Sequence, residues 1–201
     1  MKKRKKIDII KLNKRGGFNI KEKNLFSRLA SGICLLLSIL LITTFFMPVY
    51  KISLPASELV EKESSVSFSN FDIIMATTYD SFEDYIGQDA EETLTKLAAY
   101  SAAKSDDQTL LFVVMAHAVL IVLSLIALIV SIVGVCKRGT GAGSITMGVL
   151  LTLVGILFAV FVNMTENYSM ASGVYVALVF SIVFLVLSIV GKILRTKNKK
   201  A

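Results

Sequence analysis

Four stretches of the chain carry no charged residue: 22 positions between Arg28 and Lys51, 29 between Asp107 and Lys137, 27 between Arg138 and Glu166, and 25 between Glu166 and Lys192. Each contains a long apolar run. Each can hold a helix of about 20 residues, which at about 1.5 Å per residue crosses roughly 30 Å of hydrocarbon. The pattern predicts an all-α membrane protein, a four-helix transmembrane bundle with spans at about 29–47, 110–135, 145–162 and 174–194. The first run stops at Pro48. The connections KRGTGAGS and NMTENYSMASG are short and rich in Gly, Ser and Asn, so the last three spans are expected to be antiparallel neighbours.

Residues 51–108 between spans one and two are too many for a plain turn. Tyr50, Ile52 and Leu54 alternate with Lys51 and Ser53, and in SSVSFS Val66 and Phe68 alternate with Ser. That period of two predicts a small β-hairpin with Glu58, Glu61, Lys62 and Glu63 in its turn. A lone hairpin is marginal in water and must rest on the helix ends or on a partner. FDIIMATTY reads as a short helix, lying either on the membrane surface or inside the loop's own core. ETLTKLAAYSAAK reads as a helix with Leu94, Leu97, Ala98 and Ser101 on its apolar face. The expected loop is thus a small extracytoplasmic subdomain of hairpin plus helix.

Charge orients the picture. The tail 1–28, the loop from Lys137 and the tail after Gly191 carry 11, 2 and 5 Lys/Arg, against only Asp8 and Glu22. The loop 51–108 and the turn 163–173 hold 13 Asp/Glu and 4 Lys. Cationic segments stay in the cytoplasm, so both termini, including the basic tails 1–28 and 195–201, are expected inside a cell membrane and the acidic loop outside. The net charge of +7 is therefore a topology signal and not a nucleic-acid footprint. Beside a span, these tails also suit anionic lipid. MKKRKK before an apolar run resembles a signal peptide, but Leu29 to Met47 is long and FFMPVYK has no small-residue cleavage site, so a retained signal-anchor is expected. Cys34 and Cys136 both fall near the cytoplasmic ends of spans, which leaves the loop without a disulfide.

Helices associate in lipid where small residues let backbones approach, and every span carries such a stripe. Span one has Ala30, Cys34 and Ser38; span two has Ser124, Ala127, Ser131 and Gly134. Span three has Gly148, Thr152, Gly155 and Ala159, and span four has Gly173, Ala177 and Ser181. Together they predict a compact bundle.

Chemistry is sparse. Between their ends the spans hold no Asp, Glu, Lys or Arg, whereas proton pumps and ion-coupled transporters usually need ionisable groups there. The single histidine, His117, continues the small-residue face of span two and is expected to point into the bundle, hydrogen-bonded to Asn163 or Thr165. One histidine lacks the further ligands of a metal site and the partner of a catalytic pair. No phosphate-binding, dinucleotide, metalloprotease or Cys-x-x-Cys motif is present, so no enzyme activity, cofactor or metal is expected.

Four spans with inside termini and a strand-like segment opening the first outer loop resemble the layout of claudins. Claudins carry a Trp-based motif and two cysteines in that loop; this chain has no Trp and its cysteines lie at the other end, so no residue role carries over. SNFDIIMATTY and SGVYVALVFSIVFLVLSIVG resemble the small, lysine-rich four-span proteins of Gram-positive-type bacteria. The expectation is a non-enzymatic scaffold or accessory subunit that binds a protein partner or itself, with a small oligomeric transporter or channel subunit as the alternative.

Overall fold

A computed structural model describes residues 25–54, 64–81, 84–85, 93–105, 108–136, 139–165 and 168–196. In chain order the elements are α1 (residues 25–43, closed by a 3-10 turn Thr44–Phe46), β1 (Tyr50–Leu54), β2 (Ser64–Phe68), α2 (Asn70–Thr77), α3 (Thr93–Ala103), α4 (Gln108–Cys136), α5 (Ala142–Met164), β3 (Ser169–Met170) and α6 (Ser172–Thr196). Four of the helices, Leu25–Phe46, Gln108–Cys136, Ala142–Met164 and Ser172–Thr196, are long and apolar enough to cross a membrane. The chain is a multi-pass membrane protein built as a helical bundle. Each helix runs two to four residues beyond the predicted span at its N-terminal end.

The small-residue stripes lie inward. Ala30, Cys34, Ser38, Ser124, Ala127, Ser131, Gly134, Gly148, Gly155, Gly173, Ala177 and Ser181 are buried, and Thr152 and Ala159 are half-buried. Cys34 Sγ lies 3.9 Å from the Phe184 carbonyl and 3.8 Å from Ser188 Oγ, which places α1 against α6. Thr152 donates to the Ser181 carbonyl at 3.2 Å between α5 and α6. Several hydroxyls turn back on their own helices, as Ser124 does to Leu120 O at 2.7 Å and Ser181 to Ala177 O at 2.8 Å, while Ser131 Oγ is buried with no partner among the described residues. A backbone carbonyl one turn back is the nearest acceptor for a hydroxyl inside the bundle. Leu41, Leu120, Leu151, Phe158 and Phe184 fill the space between stripes, while Leu111, Ile129, Leu153 and Val186 are exposed to the surroundings of the bundle.

One end of the bundle carries a cap. Pro48 forces the preceding residue out of the helical region, and Met47 is extended at φ −83°, ψ 149°, so the first span ends there. The chain passes directly into β1, which pairs antiparallel with β2 in the register Tyr50↔Phe68, Ile52↔Val66. The hairpin read from the alternation is present; its turn residues Glu58, Glu61, Lys62 and Glu63 lie outside the described residues. The link between spans three and four is more than a turn. Within it β3 pairs with β1, Tyr50↔Met170 and Lys51↔Ser169, to give a sheet in the order β2-β1-β3. The Gly173 amide then donates to Pro48 O at 2.7 Å, and a Cβ on Gly173 would sit 2.6 Å from that oxygen. Only glycine lets α6 start so close to the end of the first span.

After β2, Ser69 caps α2: its hydroxyl accepts from the Asp72 amide at 3.2 Å, and Asp72 Oδ2 accepts from the Ser69 amide at 2.7 Å. Helix α2 buries Ile73 and Ala76 and leaves Phe71 and Ile74 exposed, so of the two sequence readings the helix packs into the cap by one face. Helix α3 packs against α2 and β2. The expected face of α3 is corrected: Ala99 and Ala102 are buried, whereas Leu94, Leu97 and Ser101 are exposed. Alanine allows a closer approach of two helix backbones than leucine does, and that approach wins over burial of the larger side chains. Tyr50, Phe68, Ile73, Ala99, Ala102 and Leu110 belong to the same hydrophobic cluster as the bundle interior. The cap is an extension of the bundle's core.

Candidate functional site

The candidate site forms where the cap meets the bundle. Helix α4 presents His117 to the interior, fully buried at 0 % exposure. The 3-10 turn after α1 brings Thr44 to it, and the capped start of α2 brings Asn70. Asn70 Nδ2 donates to His117 Nδ1 at 2.7 Å. Thr44 Oγ1 lies 3.2 Å from His117 Nε2 and donates its own proton to Leu41 O at 2.6 Å. Nε2–H is therefore the donor to Thr44, and the ring uses one nitrogen as acceptor and the other as donor, as a neutral imidazole does. All protons run one way, from Asn70 through His117 and Thr44 to the backbone of the first span.

The ring is also held by apolar contacts. Phe158 of α5 lies 4.6 Å away between centroids and Phe45 lies 5.8 Å away edge-on. Phe45 and Phe46 in turn meet Phe71 of α2, at 6.1 Å and 5.1 Å. One side chain thus contacts the end of α1, the start of α2 and the middle of α5. Asn70 Oδ1 is left buried without a hydrogen-bond partner, the one unsatisfied polar atom of the junction.

Sequence reasoning placed His117 inside but chose the wrong partners. Asn163 is exposed, and Thr165 is buried with its hydroxyl given to Val162 O at 2.6 Å. The residues it missed, Thr44 and Asn70, are 73 and 47 positions from His117 in sequence. Both stand as polar residues beside long apolar runs, in LLITTFFM and SNFDIIM, and that was the available signal.

No carboxylate or thiol is among these contacts, and among the described residues no group of three His, Cys, Asp or Glu stands close enough to hold a metal ion. The hydrogen-bond chain Asn70–His117–Thr44–Leu41 O joins the cap to the interior of the bundle. Comparison with protein-family models, curated proteins and solved structures finds no match.

Proposed function

We propose that this protein is a non-enzymatic scaffold or accessory subunit of the cell membrane, with both termini in the cytoplasm, that binds a protein partner through its cap on the outer side. The observation that carries this reading is helix α3. It lies outside the four spans, packs by Ala99 and Ala102, and turns Leu94 and Leu97 outward at 45 % exposure each. Apolar side chains held on a rigid, non-spanning helix favour contact with another macromolecule. The cap's continuity with the bundle core and the His117 junction give that surface a fixed position, which lowers the ordering cost of binding. Orientation follows from charge: the basic segments keep their end of the bundle in the cytoplasm, where anionic lipid is a second partner of the tails.

The test is purification in mild detergent with mass spectrometry of co-eluting proteins, for the wild type and for Leu94→Ser with Leu97→Ser. A stoichiometric partner present with the wild type and lost with the double variant supports the reading. A homo-oligomer that conducts ions in liposomes would overturn it in favour of a channel or transporter subunit.

A further inference from the structure

At the end of the bundle opposite the cap, a cavity of about 510 Å³ opens between the last turn of α4, the link 139–141, the first turn of α5 and the end of α6. Val130 and Val133 form its apolar wall, Gly139, Gly141 and Gly143 line it, and Ser144 and Arg195 supply its polar side. Gly139 is the single described residue at positive φ, +87°, which lets the link fold back beneath α1. Arg195 Nη1 donates to Thr140 O at 3.2 Å. That bond fixes the guanidinium beside the cavity, and among the described residues no carboxylate pairs with it and no other acceptor takes its remaining N–H groups.

Two further features face the same space. Helix α5, 23 residues long, begins at Gly141 with no side-chain cap, so its first-turn amides lack the usual acceptor. Ser144 is only 3 % exposed, lines the cavity, and its hydroxyl has no hydrogen-bond partner among the described residues. A fixed guanidinium, a buried unpartnered hydroxyl and an uncapped helix start converge on one volume. Each is a donor, and the group that answers all three is a phosphate.

We infer that this cavity holds the phosphate of an anionic phospholipid from the leaflet on the basic side of the bundle. The wall chooses the source. Val133 and the neighbouring Ile129 are exposed on the outer surface of α4, so the cavity is continuous with the face that meets acyl chains. A dissolved phosphate ion gains nothing from that wall. Glycines give the headgroup room: a Cβ on Gly143 would meet only Val130 Cγ1, at 3.8 Å. The inference rests on the reading that this end lies at an anionic lipid surface, and it adds a specific seat to the diffuse attraction of the tails.

Native mass spectrometry of the full-length protein from nanodiscs of mixed phosphatidylglycerol and phosphatidylcholine tests it. The wild type is expected to retain one phosphatidylglycerol in preference to phosphatidylcholine, and Arg195→Gln to lower that retention roughly tenfold, the loss of one charge-assisted contact. Gly143→Leu projects a side chain into the cavity beside Val130 without replacing Arg195 and is expected to lower retention while thermal unfolding stays unchanged, so a folding defect in the arginine variant leaves the test intact. Millimolar inorganic phosphate should not displace the lipid. Equal retention by the wild type and Gly143→Leu would overturn the seat while leaving tail attraction standing. Absence of any preference in the wild type would overturn both. Displacement by inorganic phosphate would assign the cavity to a free anion instead.

Discussion

Asn70 on α2 and His117 on α4 meet through a 2.7 Å hydrogen bond between side chains that are both fully buried. It ties the non-spanning part of the chain to the bundle at one point. Removing one partner leaves the other buried and unsatisfied, which costs about 1–3 kcal/mol. His117→Ala and Asn70→Ala are each expected to lower the unfolding temperature in detergent. A net hydrogen bond in a folded protein is worth about 0.5–1.5 kcal/mol, so a double-mutant cycle should give a coupling in that range. Strict additivity would mean the two side chains act separately.

Glycines in the bundle differ sharply in the room around them. A Cβ on Gly148 would lie 2.8 Å from Leu185 Cα, which is backbone and cannot step aside. On Gly155 the nearest atom would be Ser181 Oγ at 3.4 Å, an ordinary contact. Gly148→Ala should therefore destabilise by about 1–3 kcal/mol, while Gly155→Ala should cost less than about 1 kcal/mol. Equal effects of the two in reversible unfolding would show that α5 and α6 do not approach at Gly148 as described.

The sheet joins segments 118 residues apart, for Ser169 Oγ donates to Lys51 O at 3.1 Å. Directly opposed residues of an antiparallel pair have Cα atoms about 4.5–5.5 Å apart, within reach of a disulfide. Lys51→Cys with Ser169→Cys, in a background with Cys136→Ser, should form an intramolecular disulfide on mild oxidation, seen as a shift on non-reducing gels. A pair moved one residue along, Lys51→Cys with Met170→Cys, puts the two side chains on opposite faces and should not.

Helix α3 makes a paired prediction. Leu97 is exposed and Ala102 is buried against α2. Leu97→Ser should change stability by no more than about 0.5 kcal/mol, whereas Ala102→Leu overpacks the contact and should cost about 1–3 kcal/mol. Thermal unfolding of the two variants separates this arrangement from the opposite one, in which the leucine is the buried residue.

The spans were legible because lipid imposes a rule that needs only length and charge: runs such as Gln108–Cys136 have no other stable use. The inward stripes were legible because lipid-facing positions have no reason to be small, so Ser124 and Gly155 point to helix contacts. The hairpin showed in the alternation around Ile52 and Val66. Strand β3 did not, since Ser169–Met170 is too short to display any period. The face of α3 was misread because a soluble-protein rule, large apolar side chains inward, was applied where Ala99 and Ala102 make a tighter helix contact. The partners of His117 were missed because Asn70 and Thr44 reach it only after the cap has folded onto the bundle, a relationship between distant segments that no local pattern encodes.

Partner binding through α3 is the central claim, and site-specific photocrosslinking in intact cells tests it most directly. A photoreactive residue at Leu97 should yield one discrete protein adduct, and the same residue at Leu125, exposed on the face of α4, should yield only lipid adducts. Lipid adducts alone at Leu97 would contradict the account and place α3 against the bilayer.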